Sequence, residues 1–142
     1  MDEDLVKRLQ EGKKRMAERC TAIADKWTPP GCIVWYRKDL SGRMGHGGKV
    51  MWAPRPITRK SLYLFLHECA HYHLGHNGKS GKPRHREEYE AEKWAHEKMR
   101  EAGIAVPRAM TRRAKCYVAW RIDMAVRRGA KRIDKEAKRY AG

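Results

Sequence analysis

The sequence predicts an α+β fold that is mostly helical, formed by one domain over residues 1–142. Apolar residues recur at three- or four-residue steps over several long stretches, which is the period of an amphipathic helix. Two short segments are rich in β-branched and aromatic residues and are bounded by turn residues, which is typical of strands. A chain of 142 residues allows one modest core. We therefore expect the central helices to pack with a small antiparallel sheet.

The first predicted element is a long amphipathic helix from about Asp2 to Trp27. The letters "TPPG" that follow end this helix, because proline cannot continue it. Its apolar stripe is formed by Leu5, Leu9, Met16, Cys20, Ile23 and Trp27.

Two strands are predicted next, in the segments "CIVWYR" and "KVMWAP". A glycine-rich stretch, "KDLSGRMGHGGK", connects them. A phosphate-binding loop would need a helix directly after it, and none follows. We therefore expect this stretch to be a flexible hairpin connection.

A buried helix is predicted from Thr58 to Gly75. Thr58 can accept a hydrogen bond at the start of the helix, and Gly75 suits its C-terminal end. Its first half, residues 62–66, is apolar on every side and must be surrounded by other elements. The polar cluster "HECAHYHLGH" begins where this apolar segment ends, and burying such a cluster is unfavourable unless something satisfies it.

Two more helices are predicted, over residues 86–103 and 107–129, with one short turn over residues 130–142. The first follows a basic, glycine-rich loop and ends at Gly103. From about residue 107 the chain forms a basic helical extension, in which 12 Lys and Arg residues accompany 3 Asp and Glu residues.

The overall charge predicts contact with polyanions, because the formal net charge is +16. Four widely separated cysteines, with no C-x-x-C pair, argue against a zinc ribbon or a disulfide scaffold. The acidic start "MDEDLVKRLQ" is unlike a signal peptide, and no apolar run is long enough to cross a bilayer. We expect a cytoplasmic protein without a membrane partner.

The segment "HECAH" is an H-E-x-x-H motif on the predicted buried helix. His67 and His71 are four residues apart, so both project from one helical face and can bind one metal ion. Zn²⁺ suits two neutral imidazoles, and Glu68 lies beside them, where it can accept a proton from an activated water. We therefore predict a zinc site with Glu68 as the catalytic base.

A catalytic zinc site needs a third protein ligand. His73 points away from the helical face that carries His67 and His71, and His76 lies beyond the end of the helix. We therefore expect both at the surface or in contact with the ligands but not with the metal. On the following helix, Glu88, Glu92 and His96 share a face and can supply the ligand. His85, in the preceding loop, is the alternative.

The two motifs "HECAHYHLGH" and "EYEAEKWA" resemble those of small gluzincin metallopeptidases of the ImmA/IrrE kind, over roughly residues 50–100. The resemblance implies His67 and His71 as ligands, Glu68 as the general base and Glu88 as the third ligand, with Glu90 second. Family members usually have Asn or Asp where this chain has Glu92. The chain is also similar in outline to SprT-like metallopeptidases, which would move the third ligand to His85.

These observations lead to two functional hypotheses. The first is a zinc metalloendopeptidase that cleaves a protein substrate, bound as an added strand at the edge formed by "KVMWAP"; the resemblance implies a DNA-bound regulator in a prokaryotic or phage setting. The second is a nucleic-acid-binding regulatory module with a purely structural zinc. Both are compatible with phosphate contacts by the basic extension, for which the candidate residues are Arg112, Arg113, Arg127 and Arg128.

Overall fold

The computed structural model describes residues 2–142, except for the side chain of His46. Within this range, five helices pack with a three-stranded sheet, which confirms the predicted α+β class. In chain order the elements are α1 (Glu3–Trp27), β1 (Ile33–Arg37), β2 (Arg43–Gly45), a 3-10 turn (His46–Gly48), β3 (Val50–Pro54), α2 (Arg59–His73), α3 (Arg84–Glu101), α4 (Arg108–Arg127) and α5 (Lys135–Ala141).

The ends of α2 follow the predicted capping chemistry. The Thr58 side chain accepts a hydrogen bond from the Ser61 amide, and the Ser61 side chain accepts one from the Thr58 amide, so two amides that lack partners within the helix are satisfied. At the other end Gly75 has a φ of 72°. The His76 amide then donates to the carbonyl of His71, which closes the helix and turns the chain back towards its own last turn.

The sheet differs from the predicted antiparallel hairpin. Its order is β1-β3-β2, and β3 pairs in parallel with β1 and antiparallel with β2. The glycine-rich stretch is therefore not a flexible connection, because it contains strand β2 and the tight turn at His46–Gly48. Its glycines permit that turn, since Gly47 and Gly48 both adopt positive φ. As a result β3 is the central strand, with both of its edges occupied.

Helix α2 lies at the centre of the molecule, where α1, α3 and the sheet all pack on it. This explains why its first half is apolar on every side: Leu62, Tyr63, Phe65 and Leu66 are all buried. Helix α4 packs on α3, and α5 packs on both. No helix in the described part of the chain combines the length and apolarity needed to cross a membrane.

The predicted apolar stripe of α1 is only half used in packing. Cys20 and Ala24 are buried in the core, whereas Leu5 and Leu9 have exposed fractions of 43% and 55%. The first half of the helix extends beyond the body of the protein. Acidic residues in its first turn and Lys26 in its last turn complement the helix dipole.

Candidate metal centre

Three side chains converge between α2 and α3. His67 and His71 lie one turn apart on α2, and their Nε2 atoms are 3.2 Å apart. Glu88 on α3 places its Oε2 atom 3.0 Å from Nε2 of His67 and 3.5 Å from Nε2 of His71. The three potential ligand atoms lie within 4.8 Å of one another. These residues are close enough to bind one metal ion.

The donor atoms fit a metal cation better than they fit one another. Glu88 is only 1% exposed, and its Oε2 atom has no hydrogen-bond partner of good geometry among the described residues. Its other oxygen is 3.1 Å from Nε of Arg84. Buried polar atoms are normally satisfied by a hydrogen bond or a cation, and one metal ion between Oε2 and the two Nε2 atoms would satisfy all three. Two imidazoles and one carboxylate also form the His2Glu ligand set of catalytic zinc sites.

The electrostatics of the site keep the carboxylate ionised. Burial opposes ionisation of Glu88, but its contacts with His67 and His71 outweigh burial and hold the pKa of this carboxyl well below its usual range. Glu88 is therefore available as an anionic ligand at neutral pH.

A second carboxylate lies beside the far nitrogen of His67. Its Nδ1 atom lies 2.7 Å from Oε1 of Glu92, and the Tyr63 hydroxyl donates a hydrogen bond to the other oxygen of Glu92. Tyr63 also contacts Nδ1 of His96, 3.2 Å away. A carboxylate on the far nitrogen fixes the tautomer of a ligating histidine and leaves Nε2 free for the metal. Glu92 thus lies behind the ligand and not on the metal side.

His71 is oriented by a chain of two residues. Its Nδ1 atom lies 3.0 Å from Nδ1 of His76, and Nε2 of His76 lies 2.9 Å from Oε1 of Glu90. If His71 presents Nε2 to a metal, its Nδ1–H donates to His76, whose Nε2–H donates to Glu90. Burial lowers the pKa of His76, which favours the neutral form that this arrangement requires. Lys82 and Arg86 hold the Glu90 carboxylate in place.

Glu68 faces the same space from the next position on α2. It lines two adjoining cavities of about 220 and 380 Å³ together with His67. Burial raises the pKa of Glu68, although the neighbouring His67 and His71 partly oppose the rise. A raised pKa suits a carboxylate that must accept a proton near neutral pH.

Gly42 forms the wall opposite Glu68. A Cβ atom at this position would lie 2.8 Å from Cγ of Glu68 and 2.9 Å from the carbonyl oxygen of Trp52. Only glycine lets the backbone before β2 approach the glutamate this closely. No sequence pattern singles out this glycine, because its role depends on the packing of β2 against α2.

Tyr117 on α4 is a second site residue that the sequence patterns do not reveal. It lines both cavities beside Glu68 and His67, and its hydroxyl accepts hydrogen bonds from Arg121. In the sequence it is one of the apolar residues at helical spacing in the predicted helix over residues 107–129. Its place at the site is visible only once α4 is packed on α3.

The structure also locates the alternative ligands. His85 faces α5, where its Nε2 atom accepts a hydrogen bond from the Asp134 amide. Glu90 binds His76 and not the ligand pair. His73 lies on the opposite side of α2 and contacts the Trp27 carbonyl.

The four candidate arginines do not form one cluster. Arg112 and Arg128 are exposed, and Nε of Arg127 is 2.8 Å from a carboxylate oxygen of Asp123. Arg113 instead lines the smaller cavity and donates to the carbonyl of Leu40.

Comparison with known proteins gives no further information on this site. No protein-family model, curated protein or solved structure matches this chain.

Proposed function

We propose that this protein is a zinc-dependent metallopeptidase that hydrolyses a peptide bond in a protein substrate. The observation that carries the proposal is the convergence of His67, His71 and Glu88, with Glu68 facing the same cavity. Two imidazoles and one carboxylate leave a fourth position open, whereas structural zinc sites usually have four ligands and are rich in thiolates. Cys69, the cysteine nearest in sequence, is fully buried in the core.

The chain supplies each further part of hydrolysis. When bound, zinc supplies Lewis-acid chemistry that activates a water molecule. Glu68 accepts the proton of that water and delivers it to the leaving amine. The Tyr117 hydroxyl receives its hydrogen bonds from Arg121, so its own proton is available to donate to the oxygen that becomes negative in the transition state.

One edge of the sheet lies beside the site, where a substrate backbone can pair with it. The sequence predicts an added strand at the edge formed by residues 49–54, but β3 is central and its backbone groups are already paired. Strand β2 is the edge next to Glu68, because Gly42, Arg43 and Met44 line the same cavity. An extended peptide pairing with β2 would pass directly in front of the glutamate.

The test combines metal analysis with mapping of cleavage products. The zinc-loaded parent, the Glu68→Gln variant and a Glu101→Gln control on the exposed end of α3 are incubated with unfolded proteins, and new N termini are identified by mass spectrometry. We expect about one zinc per chain in all three, and cleavage only by the parent and the control. Zinc binding without any cleavage by the parent would favour a structural zinc.

A second candidate function, nucleic-acid binding, is supported by the exposed surface of α4. Arg112 and Arg128 are exposed there, and Trp120 is 48% exposed. The Arg121 guanidinium lies 4.9 Å from the centre of the Trp120 ring. Exposed cations can contact phosphates and an exposed aromatic ring can stack on bases, so this surface could hold the peptidase near substrates on DNA.

A further inference from the structure

The cavity at the metal centre belongs to a longer cleft. The cavity that contains Arg113 shares Gly42, His67, Glu68 and Tyr117 with the one that contains Glu88. The latter shares its lining with a third cavity of about 380 Å³, which extends towards the loop after α2. We call the three together the long cleft. It passes Glu68, which lines the first two of these cavities.

Arginines occupy both halves of the long cleft. Arg113 lines one end, while Arg43 and Arg84 line the middle and the other end. The carboxylates among its described lining residues are Glu68, Glu88 and Glu92, and all three are buried at the metal centre. The rim of the cleft is therefore positively charged, while its negative groups lie at its base.

Two of these arginines have no acidic partner. Within the described residues, Arg43 and Arg113 form no ion pair with a carboxylate: Arg43 lies over the Trp52 ring, and Arg113 donates to a backbone carbonyl. A divalent ion at the centre would offset two of the three negative charges, which leaves the cleft net positive. A cleft lined by one sign of charge concentrates ligands of the opposite sign.

From this arrangement we infer that the long cleft binds an acidic polypeptide, with Asp or Glu side chains on both sides of the peptide bond that faces Glu68. The inference rests on the proposed function, since it names the substrate class of the same site. An extended peptide alternates its side chains, so acidic residues can reach Arg113 on one side and Arg43 on the other while the backbone passes the centre.

The lining of the cleft favours a peptide over a nucleic acid. One side of the cleft is lined by β2, which is an edge strand of the sheet and can pair with an extended peptide. A nucleic-acid strand has no peptide N–H and C=O groups with which to pair along this edge, whereas an extended peptide has both.

The experiment measures binding and cleavage separately. Fluorescein-labelled peptides with Glu on both sides of a central Leu-Ala pair are compared with peptides in which every Glu is replaced by Gln or by Lys. Binding to the zinc-loaded Glu68→Gln variant is followed by fluorescence anisotropy. The same measurement is made after adding Arg43→Gln, Arg113→Gln or, as a matched control, Arg100→Gln, which removes the same charge from the exposed end of α3.

We expect the Glu peptide to bind about tenfold more tightly than the Gln peptide, and each cleft arginine to contribute about two- to fivefold, the range of a partly exposed charge pair. Arg100→Gln should leave binding unchanged. Equal binding of the Glu and Gln peptides, or an equal loss with Arg100→Gln, would overturn the inference.

The same peptides distinguish a failure of this inference from a failure of the proposed function. Tight binding of the Glu peptide without cleavage by the parent would support the inference and count against the peptidase. Cleavage of the Gln peptide as fast as the Glu peptide would overturn the inference and leave the peptidase intact. If a DNA duplex binds more tightly than the Glu peptide and loses affinity with Arg43→Gln and Arg113→Gln, the cleft is a nucleic-acid site and the inference is wrong.

Discussion

The role assigned to Glu92 changes once its neighbours in the structure are known. From spacing alone it is one of three ligand candidates on the same face of α3. In the structure its carboxylate lies behind His67, on the Nδ1 side, and accepts a hydrogen bond from Tyr63. Its position relative to the histidine ring, and not its residue type, places it behind a candidate ligand and away from the other donor atoms.

We predict that Glu92→Gln weakens zinc binding about 10- to 100-fold without unfolding the protein, because the amide no longer stabilises the ligating tautomer of His67. Competition with a zinc chelator measures the affinity, and circular dichroism checks the fold. Glu97→Gln, on the exposed face of the same helix, is the control. An unchanged affinity in Glu92→Gln would show that the carboxylate does not orient the ligand.

Gly42 supports a second residue-level prediction. In Gly42→Ala the new methyl group would meet the Glu68 side chain and the Trp52 carbonyl, so the glutamate must move. We expect the rate of peptide hydrolysis to fall at least about tenfold, as misplacement of a catalytic group predicts, while zinc content stays at the parent value.

The matched control is Gly12→Ala. Gly12 lies within α1, and the atom nearest to a new Cβ there is 4.0 Å away, at the end of the Arg15 side chain. This change should leave activity intact and stabilise the helix by about 0.5–1 kcal/mol. Equal activity of Gly42→Ala and the parent would show that Glu68 does not depend on this close approach.

At the level of elements, the attachment of α5 to α3 depends on a buried histidine. His85 is 1% exposed and accepts a hydrogen bond from the amide of Asp134, the N-cap residue of α5. Arg86 adds an ion pair with the Asp134 carboxylate, 2.7 Å away. Burial lowers the pKa of His85, although the nearby Asp134 opposes this effect.

The lowered pKa predicts a pH dependence of stability. Below about pH 6.5 the unfolded chain binds a proton at this histidine that the folded chain does not, so stability falls as the pH drops from there towards the folded-state pKa. The free energy of unfolding decreases by at most about 1.4 kcal/mol per pH unit. We expect His85→Gln to remove this component.

Urea unfolding of the metal-free parent and His85→Gln, at about pH 7.5 and about pH 5.5, provides the measurement. The difference in unfolding free energy between the two proteins should be smaller at the lower pH than at the higher one. The other titrating groups are common to both proteins and cancel in the comparison. A difference that stays constant or grows on acidification would contradict the prediction.

At the scale of the whole molecule, the +16 charge is spread over several surfaces with different expected roles. The long cleft uses Arg43, Arg84 and Arg113, whereas the outer face of α4 carries Arg112 and Arg127. The four arginines grouped by sequence therefore separate into one cleft residue and three surface residues.

We predict that changing Arg112, Arg127 and Arg128 together to Ala weakens binding to duplex DNA of any sequence. Phosphate contacts release counterions, so the slope of log affinity against log salt should flatten by up to about 0.9 for each phosphate that is no longer neutralised.

The control changes Lys7, Lys13 and Lys14 on the exposed part of α1, which removes the same charge elsewhere. If both triple variants bind DNA equally weakly, only net charge matters. If the parent does not bind DNA, the α4 surface has another role.

The sequence by itself determined the helices, the approximate ends of most of them and the pairing of His67 with His71. These features depend on local periodicity, capping residues and a four-residue spacing on one helix. The resemblance of the two motifs also implied Glu88 as the third ligand, and the structure places it beside both histidines. The tertiary structure decided the strand order and brought Gly42 and Tyr117 to the site. It also divided the arginines between cleft and surface. Those features depend on which elements pack against α2, and contacts between residues distant in sequence leave no local periodicity from which they could be predicted.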